Sequence, residues 1–369
     1  MTLTENTALV RPDTAALLPD NDPVRVLETP AAADLDPEDL LRLYRELVLG
    51  RRYNEQATAL VKQGRLAVYP SSTGQEACQV AAALALSTQD WLFPTYRDTL
   101  SVVLRGVDPV QTLTLLRGDW HTGYDPHATR VAPLCTPLAT HLPHAVGLAH
   151  AARVAGDDVV AMALVGDGGT SEGDFHEALN FAGVWCAPVV FLVQNNGYAI
   201  SVPLAKQTAA PTLAHKAVGY GVRGVLVDGN DAPAMLGVLT EAVARARAGG
   251  GPTLVEALTY RVDAHTNADD ATRYRSTAEV EAWRERDPLA RLERHLLETG
   301  GLDTGTIEEA RAAAERMAAD LRTRMHVEPA VAPLGLFDHV YAEPTPQLLE
   351  QREFLLAELS EDVEGNSSP

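Results

Sequence analysis

Cysteine is scarce in this chain: Cys78, Cys135 and Cys186 are the only three in 369 residues. They stand far apart in apolar stretches, which excludes a disulfide framework and a cysteine metal cluster and points to a reducing compartment. Long apolar runs are missing too, so no segment is suited to cross a bilayer as a helix. Basic residues are in deficit, with 30 Lys and Arg against 50 Asp and Glu and a formal net charge of −20. A nucleic-acid binder needs a basic face that this balance does not supply. Residues 1–35 repeat the bias: Glu5, Asp13, Asp20, Asp22, Glu28 and Asp34 face only Arg11 and Arg25. A secretory or mitochondrial leader needs the opposite charge. We expect a flexible N-terminal extension over 1–35 and a cytoplasmic protein. What remains is an ordinary globular composition, 46% hydrophobic and 22% charged, long enough for one large domain or two smaller ones.

The body, residues 36–360, reads as one domain, with a disordered tail over 361–369. A long helix is expected from Pro37, with Asp36 as cap and Gly64 as stop. A second, Ala-rich helix follows over "STGQEACQVAAALAL", with Thr73 and Glu76 spaced as a capping box. "PLATHLPHAVGLAHAARVAG" is a third. From residue 158 the pattern alternates: strand "DVVAMALV", helix "GDFHEALNFAGVW", strand "APVVFLVQ", then strands "GVLVD" and "PTLVEALTY" around the helix "APAMLGVLTEAVARARAG". Alternation of this kind predicts an α/β fold with a doubly wound parallel sheet flanked by helices. From about Ala278 the chain turns into charged amphipathic helix.

Two turns carry the chemistry. "LVGDGG" (164–169) and "VQNNGYAI" (193–200) each close an apolar run with small oxygen-bearing residues, and 26 residues separate Gly168 from Asn195. That spacing fits one turn, one helix and one strand. A right-handed strand–helix–strand unit can set two strand ends side by side, about 4.8 Å apart. Asp167 and Asn196 can then meet, with the Tyr198 carbonyl as a third ligand. Three hard oxygens without His or Cys suit Mg²⁺ or Ca²⁺ rather than zinc. Gly166, Gly168 and Gly169 allow close backbone approach, and the next helix turns its N-terminus, which favours anions, toward the site. Together these features read as a metal–diphosphate clamp. Either turn alone is ordinary loop chemistry.

The same spacing resembles the thiamine diphosphate signature. "GDGGTSEGDFHEALNFA", "NNGYAIS", "VDGND", "EALTYR", "DDATRYRS" and "DPLARL" extend the likeness over roughly Leu35 to Glu350. They resemble the alpha subunits of the decarboxylase component of branched-chain 2-oxoacid dehydrogenase complexes, with the pyruvate-specific alpha subunits as close relatives. The resemblance implies the phosphate-binding half of a thiamine diphosphate fold, with Mg²⁺ on Asp167, Asn196 and the Tyr198 carbonyl. It places Gly168, Gly169 and Gln194 against the cofactor; some relatives carry Glu at the position of Asp167 and Arg at that of Gln194.

Other positions take their roles from the same likeness. Tyr96 and Arg97 would contact the diphosphate, and Thr136 and Leu138 would face the thiamine. In some relatives a K⁺ is held where Cys135, Thr136, Pro137, Thr140 and His141 stand here, although a plain helix entry accounts for this stretch equally well. In the loop 259–275, Arg261 and His265 are the candidate catalytic residues, with His265 on the diphosphate and facing the incoming lipoyl group. Thr266 follows it, where mammalian relatives carry a phosphorylated Ser; a hydroxyl alone does not imply phosphorylation. The resemblance implies oxidative decarboxylation with acyl transfer to the lipoyl domain of an acyltransferase core. It also implies a beta subunit, two alpha and two beta chains assembling so that the beta chain supplies a glutamate. Pyruvate is the second substrate reading. Two rivals are a catalytically silent scaffold subunit and a Mg²⁺ phosphohydrolase, which would need more strand-end carboxylates. His121, His127, His144, His150 and His176 show no metal-ligand spacing, and Trp120, Trp185 and Trp283 are assigned to packing.

Overall fold

The computed structural model describes residues 13–119, 122–327 and 332–365. Among the described residues there are seven strands: β1 Trp91–Phe93, β2 Ala161–Gly166, β3 Val189–Asn195, β4 Tyr198–Ala199, β5 Val202–Pro203, β6 Arg223–Asp228 and β7 Thr253–Leu258. Five of them form one wholly parallel sheet in the order β1-β2-β3-β7-β6, and β4 and β5 make a short separate hairpin. The predicted α/β architecture is present. Every residue of β3 is buried, as expected of a strand covered on both faces.

Side-chain alternation divides the core. Met162, Leu164, Val190, Leu192, Val255 and Ala257 point to one face, where they meet Cys78, Ala81 and Ala82 of the helix Glu76–Leu84 and Met235, Leu239 and Val243 of the helix Ala232–Arg247. Ala161, Ala163, Val165, Phe191 and Val193 point to the other, against Leu142, Ala145, Val146 and Ala149 of His141–Ala155 and Phe175, Ala178 and Leu179 of Gly173–Trp185. Each such buried large side chain contributes about 1.5–3 kcal/mol. The long helix runs from Pro37 to Lys62, with the Asp36 carboxylate accepting from Glu38 N–H as predicted. The helix Thr304–Met325 packs along it through Ala310, Ala314, Leu321 and Met325.

Four expectations need correction. Residues 13–35 are not a free extension: Val24 bridges to Val227, accepts from Asp228 N–H and donates to the Leu226 carbonyl. The carboxylate of Asp231 accepts from the N–H groups of Val26 and Leu27 at 2.7 and 2.9 Å, and Leu17 and Leu27 are buried. Pairing on the open edge of β6 satisfies backbone groups that composition alone leaves to water. The Thr73–Glu76 capping box does not form. Gln75 occupies the cap, and the Glu76 carboxylate instead accepts from Gly74 N–H and Arg51. The body does not run to 360; the chain divides into compact units 1–325 and 326–369. The second unit holds the short turn Pro333–Phe337 and a helix Pro346–Gly365, so helix covers 361–365 of the expected tail. The sequence pattern also missed β1 and the β4–β5 hairpin, which are too short to show a period. Trp120 and His121 lie outside the described residues, as do residues 366–369. Among the described residues no helix is long and apolar enough to cross a membrane.

Candidate active site

Parallel register brings the two quoted turns together. Gly166 at the end of β2 pairs with Gln194 near the end of β3. Beyond these strands the chain departs as Asp167 on one side and Asn196 on the other. β7 lies next to β3 and delivers Arg261 three residues after its end, while β1, beside β2, leads into Thr95–Asp98. The carboxyl ends of four adjacent strands therefore converge on one cavity of ≈ 230 Å³. Tyr96, Arg97, Leu138, Asp167, Gly168, Gly169, Gln194, Asn196, Tyr198, Arg261 and His265 all line it. Of the predicted cofactor residues only Thr136 does not; it is exposed on the preceding loop.

Asp167 is buried, and burial pushes its carboxyl up from the ordinary range. Opposing this, Gln207 Nε2 donates to its Oδ2 at 2.7 Å, and Gln207 also donates to the Val202 carbonyl. Asn196 Nδ2 donates to Gln75 Oε1 at 3.0 Å, and its Oδ1 accepts from Tyr198 N–H at 3.2 Å. Its neighbour Asn195 turns away to Glu256 at 2.7 Å, so the two adjacent amides serve different ends. The glycines differ as well. A side chain on Gly168 would strike Ala199 Cβ at 2.6 Å and one on Gly169 would strike Val165 at 2.5 Å, whereas Gly166 faces open space. Gly168 and Gly169 thus serve protein packing, and Gly166 keeps the cavity open.

The second half of the site is cationic. Arg97 donates to the Ser71 carbonyl at 2.8 Å and to the His265 carbonyl and Nδ1, both at 3.1 Å. Arg261 donates to His265 Nδ1 at 2.9 Å, to the Ile200 carbonyl and to Tyr274 Oη. Guanidinium can only donate, so Nδ1 of His265 accepts and the neutral ring carries its proton on Nε2, on the Tyr96 side. Burial, then the charges of Arg97 and Arg261, push His265 down to about 4. Among the described residues neither arginine forms an ion pair with a carboxylate, and the buried Nε of Arg261 has no hydrogen-bond partner. Two guanidinium groups without a counter-ion around a cavity fit an anion of the diphosphate kind, and one carboxylate with two neutral oxygens fits a hard divalent cation. The residues present therefore suit a metal-bound diphosphate.

Sequence reasoning missed Gln75, Thr95, Asp98 and Gln207. Asp98 directly follows the Tyr96–Arg97 pair, and that adjacency was the one available signal. Asp98 is a further carboxylate in the cavity wall, but it is spent on Gln79, Gln194 and Thr95, which removes the support a phosphohydrolase would draw from it. In the stretch considered for K⁺, the Cys135 thiol donates to the Pro137 carbonyl, the Thr140 hydroxyl donates to Asp174, and His141 Nε2 donates to the Leu164 carbonyl at 2.6 Å. Trp283 stacks on Tyr260; Trp185 stacks on His150 at the surface, where it is exposed rather than packed in the core.

The family model described as "Dehydrogenase E1 component" matches residues 44–327. Over 358 residues the chain is 46% identical to the 3-methyl-2-oxobutanoate dehydrogenase subunit alpha of Mycobacterium tuberculosis, covering 95% of this chain and 98% of that one. It is 41% identical over 285 residues to the pyruvate dehydrogenase E1 component subunit alpha of Staphylococcus aureus, covering 76% and 77%. The subunit of the same name from Acholeplasma laidlawii is 38% identical over 324 residues, covering 86% and 93%.

Proposed function

This chain belongs to the dehydrogenase E1 component family, and on that premise we propose that it is the alpha subunit of a 2-oxoacid dehydrogenase decarboxylase component. Its reaction is the oxidative decarboxylation of branched-chain 2-oxoacids of the 3-methyl-2-oxobutanoate type, with acyl transfer to a lipoyl group of an acyltransferase core. The observation that carries this reading is the convergence of Asp167, Asn196, Arg97, Arg261 and His265 on one cavity at the carboxyl ends of the sheet. The relative from M. tuberculosis puts branched-chain substrates first; the pyruvate-named relatives support pyruvate as the second reading.

Asp167, the Asn196 amide oxygen and the Tyr198 carbonyl would hold Mg²⁺, and Arg97, Arg261 and His265 would hold the diphosphate. Thiamine diphosphate, when bound, supplies the electron sink for decarboxylation, while the protein supplies position and field. Leu138 offers an apolar wall. Because both arginines occupy Nδ1 of His265, only Nε2 can hold or pass a proton, and that atom would serve an arriving lipoyl group. A cavity of ≈ 230 Å³ is below the usual range of about 300–1,000 Å³ for a small-molecule site. It suits one end of the cofactor, with the other end against a beta subunit in an α₂β₂ assembly. The three free cysteines support a cytoplasmic setting. Potassium has no part in this reading, because only the family likeness suggests it.

The test is co-expression with a beta subunit and assay across 2-oxoacids. The chain alone should be inactive, and the pair should turn over 3-methyl-2-oxobutanoate fastest. Full activity without a partner would overturn the assembly, and a preference for pyruvate would overturn the substrate.

A further inference from the structure

Three hydrogen bonds link Asn196 to a carboxylate that bonds to none of the proposed metal ligands. Asn196 Nδ2 donates to Gln75 Oε1 at 3.0 Å; Gln75 Nε2 donates to Gln194 Oε1 at 3.3 Å; Gln194 Nε2 donates to Asp98 Oδ1 at 2.7 Å. Gln79 Nε2 donates to the same Oδ1 at 3.1 Å. All five residues are buried. A side-chain amide can present either its oxygen or its NH₂ group to a neighbour, so a chain of amides has two possible directions. Something at one end must choose.

Asp98 makes the choice at the far end, and Tyr198 N–H, which can only donate to Asn196 Oδ1, sets the same direction at the near end. Oδ2 of Asp98 accepts from the N–H and the hydroxyl of Thr95, both at 2.7 Å, which places four donors on one carboxylate. Gln79 cannot be reversed, because its Nε2 also donates to the Arg97 carbonyl at 3.1 Å, and its buried Oε1 is left without a partner as a result. Oδ1 of Asp98 therefore accepts. Gln194 must turn its NH₂ toward it and its oxygen toward Gln75. Gln75 must then offer its oxygen to Asn196, and Asn196 must offer its NH₂ to Gln75. The consequence is that Asn196 Oδ1 lies on the opposite side, where it accepts from Tyr198 N–H and can meet a cation.

We propose that Asp98 is a positioning residue: through Gln194 and Gln75 it fixes the direction of the Asn196 amide, so that the oxygen and not the NH₂ group faces the divalent cation. The inference rests on the metal reading given under Proposed function. A reversed amide would set two N–H donors against a positive ion. Outer-shell partners of this kind change metal affinity by roughly 10–100-fold when replaced.

The test uses the full chain purified with its beta subunit. Thiamine diphosphate binding is measured calorimetrically across a Mg²⁺ series, and the half-saturating Mg²⁺ concentration is the readout. Asp98→Asn, nearly isosteric, should raise it on the order of tenfold or more. Gln75→Leu keeps Asp98 but cuts the link between Gln194 and Asn196, so it should raise the requirement to a similar degree; this variant also answers the question if Asp98→Asn does not fold. Gln79→Leu removes a donor to Asp98 but keeps the carboxylate, so it should lower thermal stability and leave the Mg²⁺ requirement within about twofold. An unchanged Mg²⁺ requirement in Asp98→Asn or in Gln75→Leu, or an equal rise in Gln79→Leu, would each overturn the relay. Asp167→Ala separates the two readings: if it too leaves the Mg²⁺ requirement unchanged, the metal assignment itself has failed.

Discussion

Arg261 Nη1 lies 2.9 Å from Nδ1 of His265, four residues further along the same loop. An arginine that donates to an imidazole nitrogen opposes protonation of that ring. With burial and the added charge of Arg97, it takes His265 down to about 4. The unfolded chain binds this proton near the ordinary value of about 6.5, so the neutral ring's contribution is whole above that pH and is lost as pH falls toward 4. An NMR titration, assigned with His265→Gln, should show His265 neutral through pH 6. Binding of thiamine diphosphate with Mg²⁺ should raise its pKa, because an anion beside the ring favours imidazolium. A midpoint near 6.5 without the cofactor would refute the geometry.

Asp167→Ala should abolish Mg²⁺-dependent thiamine diphosphate binding while the fold persists. The substitution removes the one carboxylate proposed for the cation and leaves Gln207 Nε2 with only the Val202 carbonyl. Calorimetry with the beta subunit present checks affinity, and circular dichroism checks the fold. Wild-type affinity would sink the assignment.

The loop 261–275 is expected to order around the diphosphate. Arg275 already ties it together, donating to the carbonyls of Arg261, Val262 and Asp263. The Asp269 carboxylate accepts from His265 N–H and from Tyr274 Oη. Arg275→Ala leaves three carbonyls to water and should speed proteolytic cutting within 262–274 several-fold. Cofactor should slow cutting in the wild-type chain. Equal cutting of wild type and variant, or with and without cofactor, would count against this role.

Asp231→Ala should free the N-terminal segment. Its carboxylate satisfies Val26 and Leu27 N–H and also caps the helix Ala232–Arg247 through Ala234 N–H. Leaving these donors unsatisfied costs on the order of 2–4 kcal/mol. Urea unfolding measures the loss, and early cleavage between residues 13 and 30 locates it. A change below about 0.5 kcal/mol, the range of neutral surface substitutions, would show the segment to be dispensable.

Much of this protein was legible from its sequence. Apolar runs closed by Gly-Asp-Gly and Asn-Asn at one strand–helix–strand spacing give β2, β3 and the two turns. Parallel pairing leaves those turns little choice but to meet, and the Tyr-Arg pair and the loop histidine followed from family likeness. Tertiary structure alone decided which neighbour each polar atom faces. Asp98, Gln75 and Gln207 are ordinary residues until segments 40 to 121 positions apart are brought together. The same holds for residues 13–35: their composition reads as solvated, and only the open edge of β6 and the carboxylate of Asp231 give their backbone somewhere to bond. Periodicity records which face of an element is apolar. It carries no record of a single hydrogen bond between residues distant in sequence, and this site is made of such bonds.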